Sequence, residues 1–239
     1  MNWLTVTILT LFLGLLVYAE SDLPDSRESS APARTHVVPW YIEQSYPETR
    51  TPNIVTSVLA DYRGYDTLGE TVVILTAGIA VILILPRKDR RGQSSMRGSL
   101  ENMVVEGVSS FLVPFIQIFA FYAITHGHYG PGGGFQGGVV LAASMMLLRL
   151  SRGEEYEHRR FSPTLASVVA AIGMLIYALA GLLPLAWGGN FLDYAYLPIP
   201  GLSAAELRYH GILIVETGVG LVVWGTLVIL FDYLMGSEP

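Results

Sequence analysis

The chain has 239 residues, of which 51% are hydrophobic and 14% charged, with a formal net charge of −6 and no cysteine. Soluble domains carry roughly 25% charged residues, so this chain lacks the polar surface to face water on all sides, which excludes a soluble enzyme or a disordered adaptor. Disulfides, thiolate catalysis, iron–sulfur ligation and cysteine-bound zinc are excluded within it, and no basic stretch is long enough to suggest a nucleic-acid partner.

A crossing helix needs about 20 mostly apolar residues for ~30 Å of hydrocarbon. Six stretches supply one: 3–19, 65 or 71 to 86, 104–125, 135–150, 164–187 and 211–233. The expected fold is therefore an all-α, polytopic integral membrane protein with about six spans and a short amphipathic helix. The first stretch ends in Val17-Tyr18-Ala19, which resembles a cleavage site, but no positive segment precedes it. It is expected to be a retained span and not a signal peptide.

Orientation follows from the basic residues. Arg87, Lys88, Arg90, Arg91 and Arg97 lie between the second and third stretches, and Arg149, Arg152, Arg159 and Arg160 between the fourth and fifth. The positive-inside rule makes both connections, and hence both termini, cytoplasmic. Tyr41, Tyr46, Trp187, Tyr194, Tyr196 and Tyr209 then flank the outer ends as interfacial aromatics. The basic run 87–97 separates a two-span unit (1–92), with a long outer loop, from a four-span unit (97–239). No internal repeat of the kind found in many autonomous carriers is present.

The outer loop at 20–50 is rich in Ser, Pro and acids. From Thr51 the pattern changes: Thr51 can cap, Pro52 suits a first helical turn, and Ile54, Val55, Val58, Leu59 and Tyr62 share one face. This predicts an amphipathic helix of about three turns, ended by Gly64. Thr67 and Glu70 then have capping-box spacing for the second span. Asp61, Arg63, Asp66 and Glu70 crowd this entrance. Either Arg63 pairs with Asp61 or Asp66 and the cluster pins a helix break, or the carboxylates relay ions.

Further along, Glu106 and Gln117 lie near one helical face with Pro114 between them. Glu216 stands in an apolar run, about a turn and a half inside its span. A carboxylate there is costly and normally faces a bundle interior or a wet cavity; the alternative is a protonated packing residue. His126 and His128 precede a glycine run, Gly132, Gly133 and Gly134, then Gln136. Without a third ligand nearby, a metal site is not expected. A tight turn is, followed by a small-residue contact face at Gly137, Gly138, Ala142, Ala143 and Ser144.

Two of these motifs carry a family resemblance. Residues 58–70 (VLADYRGYDTLGE) resemble the end of the large Mrp antiporter subunit, with its acidic-aromatic-Arg-Gly-aromatic-Asp-Thr-Leu-Gly-Glu pattern. Residues 127–138 (GHYGPGGGFQGG) resemble the signature of the Mrp B subunit, and Glu216-Thr-Gly-Val is similar to that subunit's last helix, where Asp is more usual. Fusion of the two resembles the antiporter-like modules of archaeal membrane-bound hydrogenases and sulfane-sulfur reductases. The resemblance implies a non-redox membrane subunit of a sodium- and proton-translocating module in the cell membrane. Its partners would be other Mrp-like subunits, lipid, sodium ions and protons, and iron–sulfur clusters would reside only in partner subunits. Asp61, Asp66, Glu70, Gln117 and Glu216 are the ion-path candidates, and no catalytic residue is expected. Arg63, Thr67, His126, His128, Gly132, Gly133, Gly134 and Gln136 are motif residues. The alternative is a structural subunit that packs and seals.

Overall fold

The computed structural model describes residues 3–21, 23, 28, 30–31, 33–85, 100–152 and 161–236. The linker 87–97 and Arg159 and Arg160 lie outside them. Every regular element among the described residues is helical. In chain order these are α1 (Trp3–Ser21), a π-helical turn (Ala33–Val37) running into α2 (Val38–Thr49), and α3 (Ile54–Ser57) running into a second π-helical turn (Val58–Tyr62). Then come α4 (Gly64–Ile84), α5 (Leu100–His126), α6 (Gly134–Arg152), α7 (Pro163–Ala186), a 3₁₀ turn (Tyr194–Tyr196) and α8 (Ala204–Gly236). Helices α1 and α4 to α8 each hold a stretch long and apolar enough to cross a membrane. The protein is an all-α, polytopic membrane protein.

The chain divides into two compact units, 1–43 and 44–239. In the first, α1 buries none of its residues. A helix apolar all round needs lipid or another chain to cover it.

In the second unit α8 is the axis. Of its most apolar window 61% is buried, against 17% for α4, and α4, α6 and α7 pack on it while α5 packs on α6. Small residues permit the approach. A Cβ on Gly138 would stand 2.7 Å from the Gly220 carbonyl oxygen, and one on Gly173 2.5 Å from that of Gly218. On α6, Gly134, Gly137, Gly138, Ala142 and Ser144 are buried, whereas Ala143 is exposed. The expected face included Ala143, but one helical stripe repeats every three to four residues and cannot hold three consecutive positions.

Caps explain the helix starts. Ser162 accepts the Leu165 N–H (3.2 Å) with Pro163 in the first turn of α7, where a missing N–H costs nothing. Ser203 and Glu206 bond reciprocally, Glu206 taking the Ser203 N–H at 2.8 Å and Ser203 Oγ the Glu206 N–H at 3.4 Å. That capping box starts α8 earlier than hydropathy alone suggests.

The entrance to α4 differs from expectation. Asn53, not Thr51, caps α3, its Oδ1 accepting the Val55 N–H (3.1 Å). The helix widens into the π turn, and Gly64 opens α4 instead of ending the preceding helix. Thr67 forms no capping box with Glu70, because its hydroxyl donates to the Leu59 carbonyl (2.7 Å). The expected apolar face points outward: Ile54, Val55 and Leu59 are exposed while Thr56, Ser57, Ala60 and Asp61 are buried. Their hydroxyls have carbonyls to satisfy inside, which decides the orientation.

Two tyrosines hold this break from within. Tyr194 donates to the Ala60 carbonyl (3.1 Å) and Tyr177 to that of Gly64 (2.7 Å). Both are fully buried, so Tyr194 is not the interfacial aromatic its position suggests. Trp187, Tyr46 and Tyr196 are exposed as that role requires.

Candidate functional site

Polar side chains gather where α4, α6 and α8 begin and α5 ends. Glu216, on α8, accepts the backbone N–H of Gly134, the first residue of α6. An N–H at a helix start has no intrahelical acceptor and carries the positive end of the helix dipole. It therefore stabilises a carboxylate that hydrocarbon would penalise.

The loop before α6 is shaped by hydrogen bonds. Gly133 donates to the Ala123 carbonyl at 2.8 Å. Its φ of +117° is a conformation glycine adopts without steric cost. Asn53 clasps the loop from α3: Nδ2 donates to the carbonyls of Gly127 (2.8 Å) and Gly130 (2.9 Å), and its own N–H donates to that of His128 (2.9 Å). Thr56 adds a bond to the Gly127 carbonyl (2.7 Å). Between α3 and this loop lies a cavity of about 490 Å³, with Gly132, Gly133, Gly134, Gln136 and Glu216 in its wall.

The two histidines part company. His126 stacks on the Tyr122 ring at 4.7 Å. His128 is buried, its Nε2 donating to the Tyr209 carbonyl (3.0 Å) and its Nδ1 without a partner. Burial pushes its pKa down. Among the described residues no three metal-ligating side chains come together.

Asp61 belongs to the π turn and turns its side chain inward, 2% exposed, with Arg208 Nε 3.1 Å away. Arg208 also reaches Glu48 (3.2 Å) and lies over the Tyr62 ring, whose hydroxyl donates to Glu48 (2.5 Å). Burial pushes Asp61 up to about 7; Arg208 opposes, while Asp193 and Glu48 add to the rise. Arg63 therefore pairs with Asp66, through Nε at 2.7 Å, and not with Asp61. Both Asp66 and Glu70 are exposed on α4, facing away from the rest of this chain. Gln117 lies apart from all these carboxylates, donating to Ser144 Oγ (3.3 Å).

At the opposite helix ends stands a pair that sequence reading overlooked. Arg149 of α6 and Asp232 of α8 meet at 2.8 Å, each side chain 1% exposed, and Arg149 also donates to the Phe161 carbonyl (3.0 Å). By sequence Arg149 is one more cytoplasmic arginine. The signal available was Asp232, a second acid in the same apolar run as Glu216. Nearby, Glu106 pairs with Arg152 at 3.4 Å.

Both parts of the chain are similar to known proteins. Residues 104–229 match a domain related to the MnhB subunit of Na+/H+ antiporter, and residues 29–102 match MbhE, the E subunit of MBH. A probable K(+)/H(+) antiporter A/B subunit of Rhizobium meliloti is 26% identical over 220 residues, which cover 78% of this chain but only 22% of that protein. Among solved structures, a chain of the Mrp complex from Dietzia sp. superposes with a TM-score of 0.69 at 28% identity, covering 99% of this chain and 26% of that one. A chain of the membrane-bound sulfane sulfur reductase, an archaeal respiratory membrane complex, gives 0.68 at 28% identity, covering 99% and 98%.

Proposed function

The chain belongs to the family of domains related to the MnhB subunit of Na+/H+ antiporters, and on that premise we propose that it is a non-redox subunit of a sodium- and proton-translocating membrane module. The parent assembly is a respiratory complex of the hydrogenase or sulfane-sulfur-reductase type. The near-complete overlap with a chain of the latter supports this, since the same residues cover only 26% of the matching chain of the Mrp complex from Dietzia sp.. Iron–sulfur clusters belong to its partner subunits. The complex lies in the cell membrane, with both termini of this chain cytoplasmic.

One observation carries the ionic role. Glu216 is an ionisable group inside an apolar helix that lines a cavity and has no cationic side chain paired with it among the described residues. A carboxylate kept only for packing would be enclosed and fully satisfied. Asp66 and Glu70 face outward from α4, where a neighbouring subunit completes their surroundings. Sodium is the transported metal cation in this reading, although one relative is named for potassium.

A purely structural role has its own supporting observation: Asp61, Asp66 and Glu106 are each paired with an arginine. A tagged chain purified from native membranes distinguishes the two. Co-elution with Mrp-like subunits and redox-driven sodium or proton movement by the reconstituted assembly is expected. The chain reconstituted alone should move no ions, and saturable exchange by it alone would overturn the subunit reading.

A further inference from the structure

The cavity between α3 and the turn leading into α6 holds about 490 Å³, far above the ~10–15 Å³ that a single water requires. Asn53, Thr56, Tyr129, Gln136 and the backbone of Gly130 to Gly134 give its wall polar partners, beside Ile54, Val55 and Leu59. A water needs two to four such partners to be held, and this lining supplies them.

Two features keep the carboxylate open to that space. Gly133 has no side chain: a Cβ there would stand 2.9 Å from Glu216 Oε2 and 3.4 Å from Oε1. Oε2 takes the Gly134 N–H, while Oε1 accepts no hydrogen bond from the described residues. The clasp of Asn53 on the carbonyls of Gly127 and Gly130 fixes how far α3 stands from the loop.

We propose that this cavity is an aqueous vestibule through which water and small monovalent cations reach Glu216, and that Asn53 is the positioning residue that sets its width. The assignment deepens the ion-path reading by naming the route of access, and it rests on that reading only for the purpose of the route. An apolar segment of a partner subunit seated in the cavity is the competing occupant. It would leave Glu216 dry.

The chain has no cysteine, so one introduced thiol reports on its own position. In the intact complex, Glu216→Cys, Gln136→Cys and Val222→Cys are treated with a membrane-impermeant, positively charged methanethiosulfonate, and this chain is analysed by mass. Gln136 lines the cavity and Val222 is 0% exposed on α8. Glu216→Cys is expected to label within about tenfold of the Gln136→Cys rate, with Val222→Cys unlabelled. Adding Asn53→Ala should change the Glu216→Cys rate several-fold without altering that of Gln136→Cys. Wild-type complex gives a second measure free of assembly defects: a water-soluble carbodiimide with an amine nucleophile should modify Glu216.

Labelling of Glu216→Cys no faster than Val222→Cys, or an unmodified Glu216 in the wild type, overturns the vestibule even if Glu216→Gln abolishes transport. Rapid labelling alongside normal transport by Glu216→Gln leaves the vestibule standing and removes the ion-path reading. An unchanged rate on Asn53→Ala overturns the role given to Asn53.

Discussion

Arg149 and Asp232 face each other across α6 and α8 at 2.8 Å with 1% of either side chain exposed. Two charges so buried gain little net stability from each other, but removing one takes away the other's opposite charge, at a cost of about 3–5 kcal/mol. Asp232→Ala should therefore sharply lower the thermal stability of the detergent-solubilised protein. Arg149→Met with Asp232→Leu should recover most of the loss. Equal destabilisation by the single and double variants would mean the pair is needed for more than mutual neutralisation.

Tyr177 and Tyr194 satisfy carbonyls at the break before α4. Tyr177→Phe removes a buried hydrogen bond to the Gly64 carbonyl at a cost of about 0.5–1.5 kcal/mol, measurable as a lower unfolding midpoint. Exposed Tyr196→Phe should have no measurable effect.

Close helix approach makes its own prediction. Gly173→Ala drives a methyl against the Gly218 carbonyl, and overpacking of this kind costs about 1–3 kcal/mol. Gly107→Ala meets nothing within 4 Å and should be neutral or stabilising by up to about 1 kcal/mol. Unfolding midpoints of the two variants give the comparison directly.

Asp61 predicts a pH dependence of fixed sign. Its pKa rises from an ordinary 3.8 to about 7 on folding, chiefly through burial. Between those values the folded state holds a proton the unfolded state has released, so stability falls as pH rises across the window. The contribution is fully present below about pH 4 and lost as pH rises through about 7. Asp61→Asn should flatten the stability profile from pH 4 to 7, read as thermal midpoints. A slope unchanged in the variant would assign the dependence to other groups.

The spans were legible because an apolar run of the right length has one use. Glu216 was legible for the converse reason, as an acid where acids are expensive. Legibility failed where partners are distant in sequence. Nothing around Asn53 announces that its amide will hold carbonyls at 127 and 130, and nothing near Asp61 points to Arg208. Thr67 and Glu70 have capping-box spacing, yet the Leu59 carbonyl in the π turn takes the Thr67 hydroxyl instead. Ser203 and Glu206 form the real capping box, in a segment too polar for hydropathy to include.

Glu216→Gln tests most directly whether Glu216 belongs to an ion path. The amide keeps the shape and an oxygen for the Gly134 N–H while removing the titratable group. Measured as redox-driven sodium and proton movement in vesicles carrying the assembled complex, the variant should retain its subunits yet lose coupled ion movement, with electron transfer slowed or uncoupled. Wild-type ion movement in a fully assembled Glu216→Gln complex would contradict that assignment.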